Sequence, residues 1–180
     1  MAIEIERKFR VTGEGWRDQA SHRERIAQGY LAGAQPIEAG LTACSVRVRI
    51  SGEQAWINVK SATAGIARAE FEYPIPVNDA QAMLDTLAGG VLEKIRHHVT
   101  VDGSHFEVDE FLGANAGLIL AEVELPREDA PYARPDWLGQ DVSEEGRFYN
   151  IRLIERPFGQ WTAAEQQGKE ARTGSGGACL

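Results

Sequence analysis

Apolar and charged residues alternate in short segments over most of the chain from Ala2 to Leu125, and Gly, Pro, Asn or Asp residues separate these segments. Alternation with a period of two is typical of strands that bury one face, so the pattern predicts a mainly antiparallel β domain. The Asp102-Gly103 pair is the clearest hairpin turn, because both residues tolerate a positive φ and alternating apolar positions flank them. We expect seven or eight strands, near residues 2–11, 26–32, 43–51, 54–61, 66–75, 91–101, 104–112 and 118–126.

Two segments depart from this alternation and predict short amphipathic helices. The first helix is expected to begin with Asn78 or Asp79 as its N-cap and to end before residue 89. Its apolar face comprises Ala82, Met83 and Leu87. The second is expected to begin with Ser143 as its N-cap and to end at Pro157. Its apolar positions are Phe148, Ile151, Leu153 and Ile154.

Charged residues recur two positions apart on one face of nearly every predicted strand, while apolar residues occupy the other face. The charged positions are Glu4, Glu6 and Lys8; Arg47 and Arg49; Lys60; Arg68, Glu70 and Glu72; Lys94 and Arg96; Glu107 and Asp109; and Glu122 and Glu124. If the sheet closes into a barrel, one set of faces lines the lumen and the other faces outward. An apolar lumen predicts a lipocalin-like carrier, and a charged lumen predicts a polar pocket inside an apolar wall. Periodicity alone favours the carrier or a plain solvated sheet face.

The signs of these charges favour the charged lumen instead. Each dyad has a single sign: Glu4 and Glu6 are both acidic, whereas Arg47 and Arg49 are both basic. Like charges two positions apart on one face repel each other unless a counter-ion or a ligand neutralises them. Paired carboxylates suit a divalent cation, and paired basic side chains suit phosphate oxygens.

Composition narrows the class of protein. The 180 residues, 43% of them hydrophobic, suffice for one folded domain, which we place at residues 1–158, and the Gly- and Ser-rich segment 159–180 predicts a polar, disordered tail. The formal charge of −8 argues against nucleic-acid and anionic-membrane binding. Only two cysteines occur, Cys44 and Cys179, and neither has the spacing of a metal site. We therefore expect a reduced, cytoplasmic protein.

A series of short motifs follows in a consistent order along the chain. The first is Glu4-Ile5-Glu6-Arg7-Lys8-Phe9. The others are Gln28-Gly29-Tyr30-Leu31, Val46-Arg47-Val48-Arg49, Lys60-Ser61, Glu70-Phe71-Glu72, Glu93-Lys94-Ile95-Arg96, Glu107-Val108-Asp109-Glu110-Phe111, Ala121-Glu122-Val123-Glu124-Leu125, and Trp137 before Asp141-Val142-Ser143. Together they resemble the CYTH family, the triphosphate tunnel metalloenzymes, over roughly residues 2–155. The resemblance is closest to the short bacterial members that hydrolyse inorganic tripolyphosphate.

This resemblance implies a fold and an activity. The implied fold is mainly β with helices (α+β): an eight-stranded antiparallel β tunnel with a charged lumen and helices packed outside. The implied activity is the Mg²⁺- or Mn²⁺-dependent hydrolysis of tripolyphosphate, or of a related triphosphate, to pyrophosphate and orthophosphate. Its expected partner is a small-molecule triphosphate, with no nucleic acid and no membrane, and a homodimer is left open.

The resemblance also implies roles for residues that match the family's motifs. The substrate-binding residues would be Lys8, Arg47, Arg49, Lys60, Lys94, Arg96 and Arg147. The metal ligands would be Glu4, Glu6, Glu122 and Glu124, with Glu70, Glu72 and Asp109 as further candidates. Lys94 would act catalytically at the leaving oxygen, and Glu4 and Glu6 would act at the attacking water.

Several alternatives stay open at this point. Where the family usually has Lys-Arg-Tyr in its last helix, this chain has Gly146-Arg147-Phe148, which removes one basic group. The same family includes class IV type adenylyl cyclases and thiamine triphosphatases, and the basic dyads alone would also serve a non-catalytic sensor of polyphosphate or nucleotides.

The histidines His97, His98 and His105 flank the predicted hairpin turn, and we interpret them as surface residues rather than metal ligands.

Overall fold

A computed structural model describes residues 2–32, 34–62 and 66–168 of the chain. Within these ranges lie nine strands: β1 (Ala2–Val11), β2 (Ala20–Ala32), β3 (Cys44–Ser51), β4 (Gln54–Ser61), β5 (Ala67–Ile75), β6 (Val91–Val101), β7 (Ser104–Phe111), β8 (Ile119–Glu124) and β9 (Leu138–Asp141). The α-helices are α1 (Ala34–Glu38), α2 (Val77–Thr86), α3 (Asn150–Glu155) and α4 (Ala163–Gln166). Short 3₁₀ turns occur at Arg17–Gln19, Gly113–Asn115, Gly146–Phe148 and Phe158–Gln160. In the described ranges, no helix has the length and hydropathy that spanning a bilayer requires.

Eight of the strands close into an antiparallel barrel, in the order β1-β5-β4-β3-β2-β6-β7-β8 and back to β1. Strand β1 closes it, because its first residues pair with β5, with Ala2 opposite Glu70. Residues further along β1 pair with β8, with Lys8 opposite Glu122. The predicted eight-stranded antiparallel tunnel is therefore confirmed. The predicted turn at Asp102 and Gly103 is confirmed as well, with φ values of 46° and 77°.

One edge of β1 pairs first with β5 and later with β9. Between these two parts, β1 is hydrogen-bonded to Val142 and Ser143, which directly follow β9. The Lys8 backbone N–H donates to the Ser143 hydroxyl at 2.9 Å, and the Lys8 carbonyl accepts from the Val142 N–H at 2.8 Å. Ser143 therefore does not cap a helix as predicted, because its hydroxyl satisfies a strand N–H that would otherwise lack a partner. Helix α3 begins only at Asn150, and it ends at Glu155, shortly before Pro157.

Two strands differ from the sequence prediction because tertiary pairing forms them. Strand β2 begins at Ala20 rather than near residue 26, and its polar first half is held by β6, with Ala20 opposite Val99. Strand β9 was not predicted, since four residues are too short to show alternation; it extends the sheet beside Phe9 and Val11 of β1.

Helix α2 covers the outer wall formed by β3 and β4. It begins directly after Pro76, and neither of the two predicted caps makes a capping hydrogen bond. The helix buries Ala80 and Leu84 against Val48 and Ala55, whereas Leu87, which was predicted on the apolar face, is exposed. Because α2 begins earlier than predicted, at Val77, the helix face that packs against β3 and β4 differs from the face that the sequence indicated.

The apolar core lies mostly outside the barrel, but one cluster fills an end of the lumen. This cluster includes Leu92, Phe111 and Leu120. Each of them lies two positions from a charged residue of the same strand and therefore on the same, inner face of the sheet. They pack against Phe148 and Leu153, which follow β9. The charged lumen therefore extends over only part of the strand length, and the C-terminal elements seal the rest.

The folded region extends beyond the boundary predicted at residue 158. Trp161 is buried, and its ring lies 5.1 Å from that of Phe148 and 5.2 Å from that of Phe158. Thr162 and Glu165 form a reciprocal capping box at the start of α4. These aromatic and capping contacts order the first part of the predicted tail. The remainder, residues 169–180, lies outside the described residues.

Gly29 marks a close approach of β2 to the connection between α2 and β6. A Cβ atom at Gly29 would lie 2.8 Å from the Ala88 Cβ and 2.9 Å from the Gly90 carbonyl oxygen. We expect Gly29→Ala to lower the free energy of unfolding, measured in urea, by about 2 kcal/mol through overpacking. Gly89→Ala is the matched control, since nothing lies within 4 Å of its added Cβ, and we expect a change within about 0.5 kcal/mol. Equal losses in the two variants would contradict this close packing.

Candidate functional site

A cavity of about 670 Å³ occupies the charged part of the barrel lumen. Seven Lys or Arg and seven Glu side chains line it, contributed by seven strands. The basic residues are Lys8, Arg47, Arg49, Lys60, Arg68, Lys94 and Arg96, and the acidic residues are Glu4, Glu6, Glu70, Glu72, Glu107, Glu122 and Glu124. A lumen of this composition excludes the apolar-lumen carrier that periodicity alone favoured. Nearly all the predicted site residues therefore lie on one cavity; the exceptions are Asp109 and Arg147.

The most deeply buried ionic contacts surround Asp109, which has no exposed surface. Its two carboxylate oxygens each accept a hydrogen bond of 2.7 Å from the Arg96 guanidinium, and the Lys94 ammonium also donates to it. Arg96 further donates to Glu122 at 2.8 Å. Asp109, a further candidate among the predicted metal ligands, does not line the cavity, and both of its oxygens accept hydrogen bonds from basic side chains. Its role is to fix the directions of Lys94 and Arg96.

This environment shifts the acid–base properties of both basic residues. Burial and the neighbouring charge of Arg96 lower the pKa of Lys94, and contact with Asp109 only partly offsets this effect. Burial acts on Arg96 in the same direction, but the charge and hydrogen bonds of Asp109 outweigh it and raise the Arg96 pKa. Lys94 is thus the basic group of this cluster whose proton is held less tightly than in water.

Carboxylates gather where β1 and β8 pair. The Lys8 ammonium lies 2.9 Å from Glu122 and 3.6 Å from Glu6. Burial would raise the pKa of Glu122, but the charges of Lys8 and Lys94 lower it well below its usual value. For Glu6 the balance is reversed, because burial and the charge of Glu122 raise its pKa to about 7. Burial and the charges of neighbouring glutamates also raise the pKa of Glu124. The cluster holds more negative charge than its basic neighbours neutralise, which is a suitable environment for a cation.

Ion pairs across β3, β4, β5 and β1 bring acidic and basic dyads together. The Lys60 ammonium lies 2.6 Å from Glu4 and 3.3 Å from Glu70. Arg49 donates to Glu72 at 2.8 Å. Asn58, which is fully buried, donates to both Glu70 and Glu72. Glu70 and Glu72 are therefore already paired with basic and amide groups of the wall.

Three buried N–H donors on the cavity wall have no hydrogen-bond partner among the described residues. They are Nε of Arg47, Nε of Arg49 and Nε2 of Gln28. Leaving a buried donor unsatisfied costs about 1–3 kcal/mol, so such groups are expected to have a partner when the site is in use. Their clustering on one side of the cavity favours a ligand rich in acceptor oxygens.

Residues 146–149 place a different side chain in the cavity from the one predicted. Arg147 does not line it; the guanidinium instead donates to Glu145 at 2.7 Å and lies 5.2 Å from the centroid of the Trp161 ring. Phe148 is buried in the apolar cluster, and the next residue, Tyr149, lines the cavity. The Lys8 ammonium is 5.6 Å from the centroid of the Tyr149 ring. In the sequence, the two adjacent aromatic residues Phe148 and Tyr149 indicated that the residue facing the cavity could lie one position further along the chain.

Comparisons with known proteins agree with this arrangement. Residues 2–156 match the model of the CYTH domain. An inorganic triphosphatase of Acetivibrio thermocellus is 39% identical over 159 residues, which cover 88% of this chain and 97% of the relative. An inorganic triphosphatase of Nitrosomonas europaea is 35% identical over 153 residues, with coverage of 83% and 95%. The crystal structure of an inorganic triphosphatase superposes with a TM-score of 0.59 at 32% identity, covering 86% of this chain and 95% of the other.

The raised pKa of Glu6 predicts a pH-dependent stability of the metal-free protein. Between pH 4.5 and about 7 the folded state holds a proton on Glu6 that the unfolded state releases, so the free energy of unfolding falls as pH rises through this interval. We expect Glu6→Gln to reduce this fall and to be more stable than the wild type above pH 7. Urea unfolding in EDTA at a series of pH values measures the effect.

Glu53→Gln is the matched control, because Glu53 is exposed in the turn between β3 and β4. Its stability profile should follow that of the wild type. A Glu6→Gln profile parallel to the wild type across this interval would contradict the assignment.

Proposed function

This chain belongs to the CYTH domain family, and on that premise we propose that it is a triphosphatase that hydrolyses inorganic tripolyphosphate, or a related triphosphate, to pyrophosphate and orthophosphate. The observation that carries the proposal is the group of unsatisfied N–H donors of Arg47, Arg49 and Gln28 in a cavity of dense charge. The relatives named inorganic triphosphatases match it over nearly their whole length, which supports the same chemistry.

The balance of charges in the cavity supports a substrate that is accompanied by divalent cations. A bare polyanion would meet as many carboxylates as basic groups on the wall. A triphosphate with divalent cations presents both signs, so its phosphate oxygens can face the basic dyads while its cations face the glutamates. The enclosed volume suits a small molecule.

The donor set fits a hard divalent cation, Mg²⁺ or Mn²⁺. The candidate ligands are all carboxylates, and burial together with the charge of neighbouring glutamates raises the pKa of both Glu6 and Glu124, an environment that a cation would stabilise. We propose Glu4, Glu6, Glu122 and Glu124 as the ligands, with Glu70 and Glu72, which line the same cavity, as further candidates. When bound, the cation would screen the phosphate charge and increase the acidity of a bound water.

The basic residues would bind the phosphate groups in two ways. Arg47 and Arg49 offer planar guanidinium groups suited to two oxygens at once. Lys8 and Lys60 act as point charges, each already flanked by a glutamate of the wall. Arg96 is held rigidly by Asp109 and adds a further fixed positive charge. Fixed charges stabilise the phosphoryl transition state without having to reorganise.

The hydrolytic step needs an acceptor for the proton of water and a group at the leaving oxygen. We assign the first role to Glu4 and Glu6, which lie side by side on the cavity face of β1. Water attacks the terminal phosphorus, the bond to the bridging oxygen breaks, and a proton of the water passes to one of these carboxylates. Lys94 donates a proton to the departing oxygen, and its lowered pKa favours this transfer.

The remaining expectations concern the setting in which the protein acts. A cytoplasmic location follows from the small number and wide spacing of the cysteines, and it stays a prediction. We likewise predict that the protein binds neither nucleic acid nor a membrane. Whether it forms a homodimer stays open.

An assay panel tests the proposed activity. The protein is incubated with Mg²⁺ or Mn²⁺ and tripolyphosphate, ATP or thiamine triphosphate, and orthophosphate, pyrophosphate and cyclic AMP are measured. We expect tripolyphosphate to yield orthophosphate and pyrophosphate in equal amounts, and Glu4→Gln to lose turnover while still binding the substrate. Cyclic AMP as the main product would identify a cyclase instead. Substrate binding without turnover of any triphosphate by the wild type would indicate a sensor.

The role of Lys94 gives a second prediction. Lys94→Met keeps the aliphatic volume but removes the proton donor, so we expect kcat to fall by about 10²- to 10⁴-fold with little change in KM. The fold should persist, because Asp109 keeps both hydrogen bonds from Arg96. Steady-state kinetics and thermal unfolding check the two effects separately. A raised KM with an unchanged kcat would show that Lys94 only binds substrate.

Arg25→Met is the matched control for this substitution. Arg25 is a basic residue of β2 whose exposed side chain pairs with Glu93 and does not line the cavity. Its kinetic constants should equal those of the wild type.

A further inference from the structure

The hairpin of β6 and β7 carries a histidine cluster at the rim of the cavity that the proposed hydrolysis does not use. The Nδ1 atom of His98 faces the Nε2 atom of His105 at 3.2 Å. A ligand atom of Glu107 lies within 4.8 Å of both. We propose that His98, His105 and Glu107 form a binding site for Zn²⁺, separate from the carboxylate site deeper in the lumen.

The distance between the two nitrogens fits a shared metal ion. Zinc–nitrogen bonds of about 2.0–2.1 Å in a tetrahedral arrangement place two ligand nitrogens about 3.3 Å apart. The ring centroids lie 5.3 Å apart with planes inclined by 18°, so the two rings are nearly parallel and close enough to share one ion.

The backbone fixes these residues before any ion binds. His98 lies directly opposite Glu107 on the neighbouring strand, and Thr100 lies opposite His105. The two-residue turn at Asp102-Gly103 joins the strands within a few residues of the cluster. His97, interpreted from sequence as a surface residue like the other two, points to the opposite face and is buried beside Trp16.

The outer nitrogens of both rings already have the partners that a zinc site requires. Nε2 of His98 is 3.1 Å from a Glu24 carboxylate oxygen, which can only accept a hydrogen bond, so this contact selects the neutral tautomer with the proton on Nε2 and the lone pair on Nδ1. Nδ1 of His105 is 3.3 Å from the Thr100 hydroxyl, which can donate or accept. His105 can therefore move its proton to Nδ1 and present Nε2 to the ion without losing a hydrogen bond.

Glu107 can supply the third ligand without leaving a buried charge unpaired. Its carboxylate contacts Arg96 and is about one-third exposed. Arg96 retains Asp109 and Glu122 if Glu107 turns toward the histidines. The open cavity beside these residues leaves room for a water molecule as the fourth ligand.

The donor set distinguishes this ion from Mg²⁺. Two imidazoles and one carboxylate suit Zn²⁺ and related transition-metal ions, whereas Mg²⁺ prefers oxygen ligands. The site stands on the geometry of the hairpin, so it does not depend on the proposed hydrolysis.

Zn²⁺ titration of the EDTA-stripped protein in excess Mg²⁺ tests this proposal, by calorimetry and by NMR of the histidine rings. We expect one tightly bound Zn²⁺ per chain and shifts of the His98 and His105 rings. His105→Gln should weaken binding by more than about 10-fold, and Glu24→Gln by about 10- to 100-fold through loss of the outer hydrogen bond. His105 is exposed, so its variant is expected to fold, and thermal unfolding verifies this.

His22→Gln is the matched control, because His22 stacks against His98 at 5.6 Å but is not part of the three-ligand group. Its affinity for Zn²⁺ should equal that of the wild type. Unchanged affinity in His105→Gln, or an equal loss in His22→Gln, would overturn the assignment. Loss of the Zn²⁺ in Glu4→Gln but not in His105→Gln would place the ion among the lumen carboxylates and overturn it as well.

Discussion

The contact between the Arg96 guanidinium and the Asp109 carboxylate is the interaction on which the site depends. Asp109 is wholly buried, and it holds both Arg96 and Lys94 in the cavity wall. From Arg96 the ionic contacts continue to Glu122, and from Glu122 to Lys8. Four strands, β7, β6, β8 and β1, are thereby linked through one chain of charges. A group that never touches the cavity thus sets the positions of several groups that do.

A lumen lined by charged side chains contributes less to the stability of a barrel than an apolar lumen would. Replacing buried ion pairs by apolar residues of similar volume is often neutral or stabilising, so this wall is not the most stable filling of the space. Burial and the charge of neighbouring glutamates raise the pKa of both Glu6 and Glu124, and the Nε atoms of Arg47 and Arg49 are left without partners among the described residues. Stability comes instead from the apolar clusters outside the barrel and at its sealed end. The charged part of the wall is complementary to a ligand that carries both signs.

Individual residues show which parts of the site could be predicted from the sequence and which could not. The strand motifs identified the cavity wall because residues two apart on a strand share a face whatever the neighbouring strands do. Asp109 shares that phase, yet Lys94 and Arg96 cover it, and side-chain packing of this kind leaves no mark in the pattern. Arg147 does not line the cavity and Tyr149 does, because a 3₁₀ turn at Gly146–Phe148 replaces the start of the predicted helix and changes the directions of these side chains. His98 and His105 face each other only because the hairpin places their strands side by side.

The sequence by itself determined the strand alternation, the segregation of acidic from basic dyads and the order of the family motifs. It did not determine which face of the sheet lies inside, because alternation with a period of two is unchanged when the two faces are exchanged. In the structure, β1 pairs with both β5 and β8 to close the barrel, and the charged faces line the enclosed cavity. Helix α2 packs against the apolar outer side of β3 and β4. Contacts between residues far apart in the chain thus decided what a local pattern left undetermined.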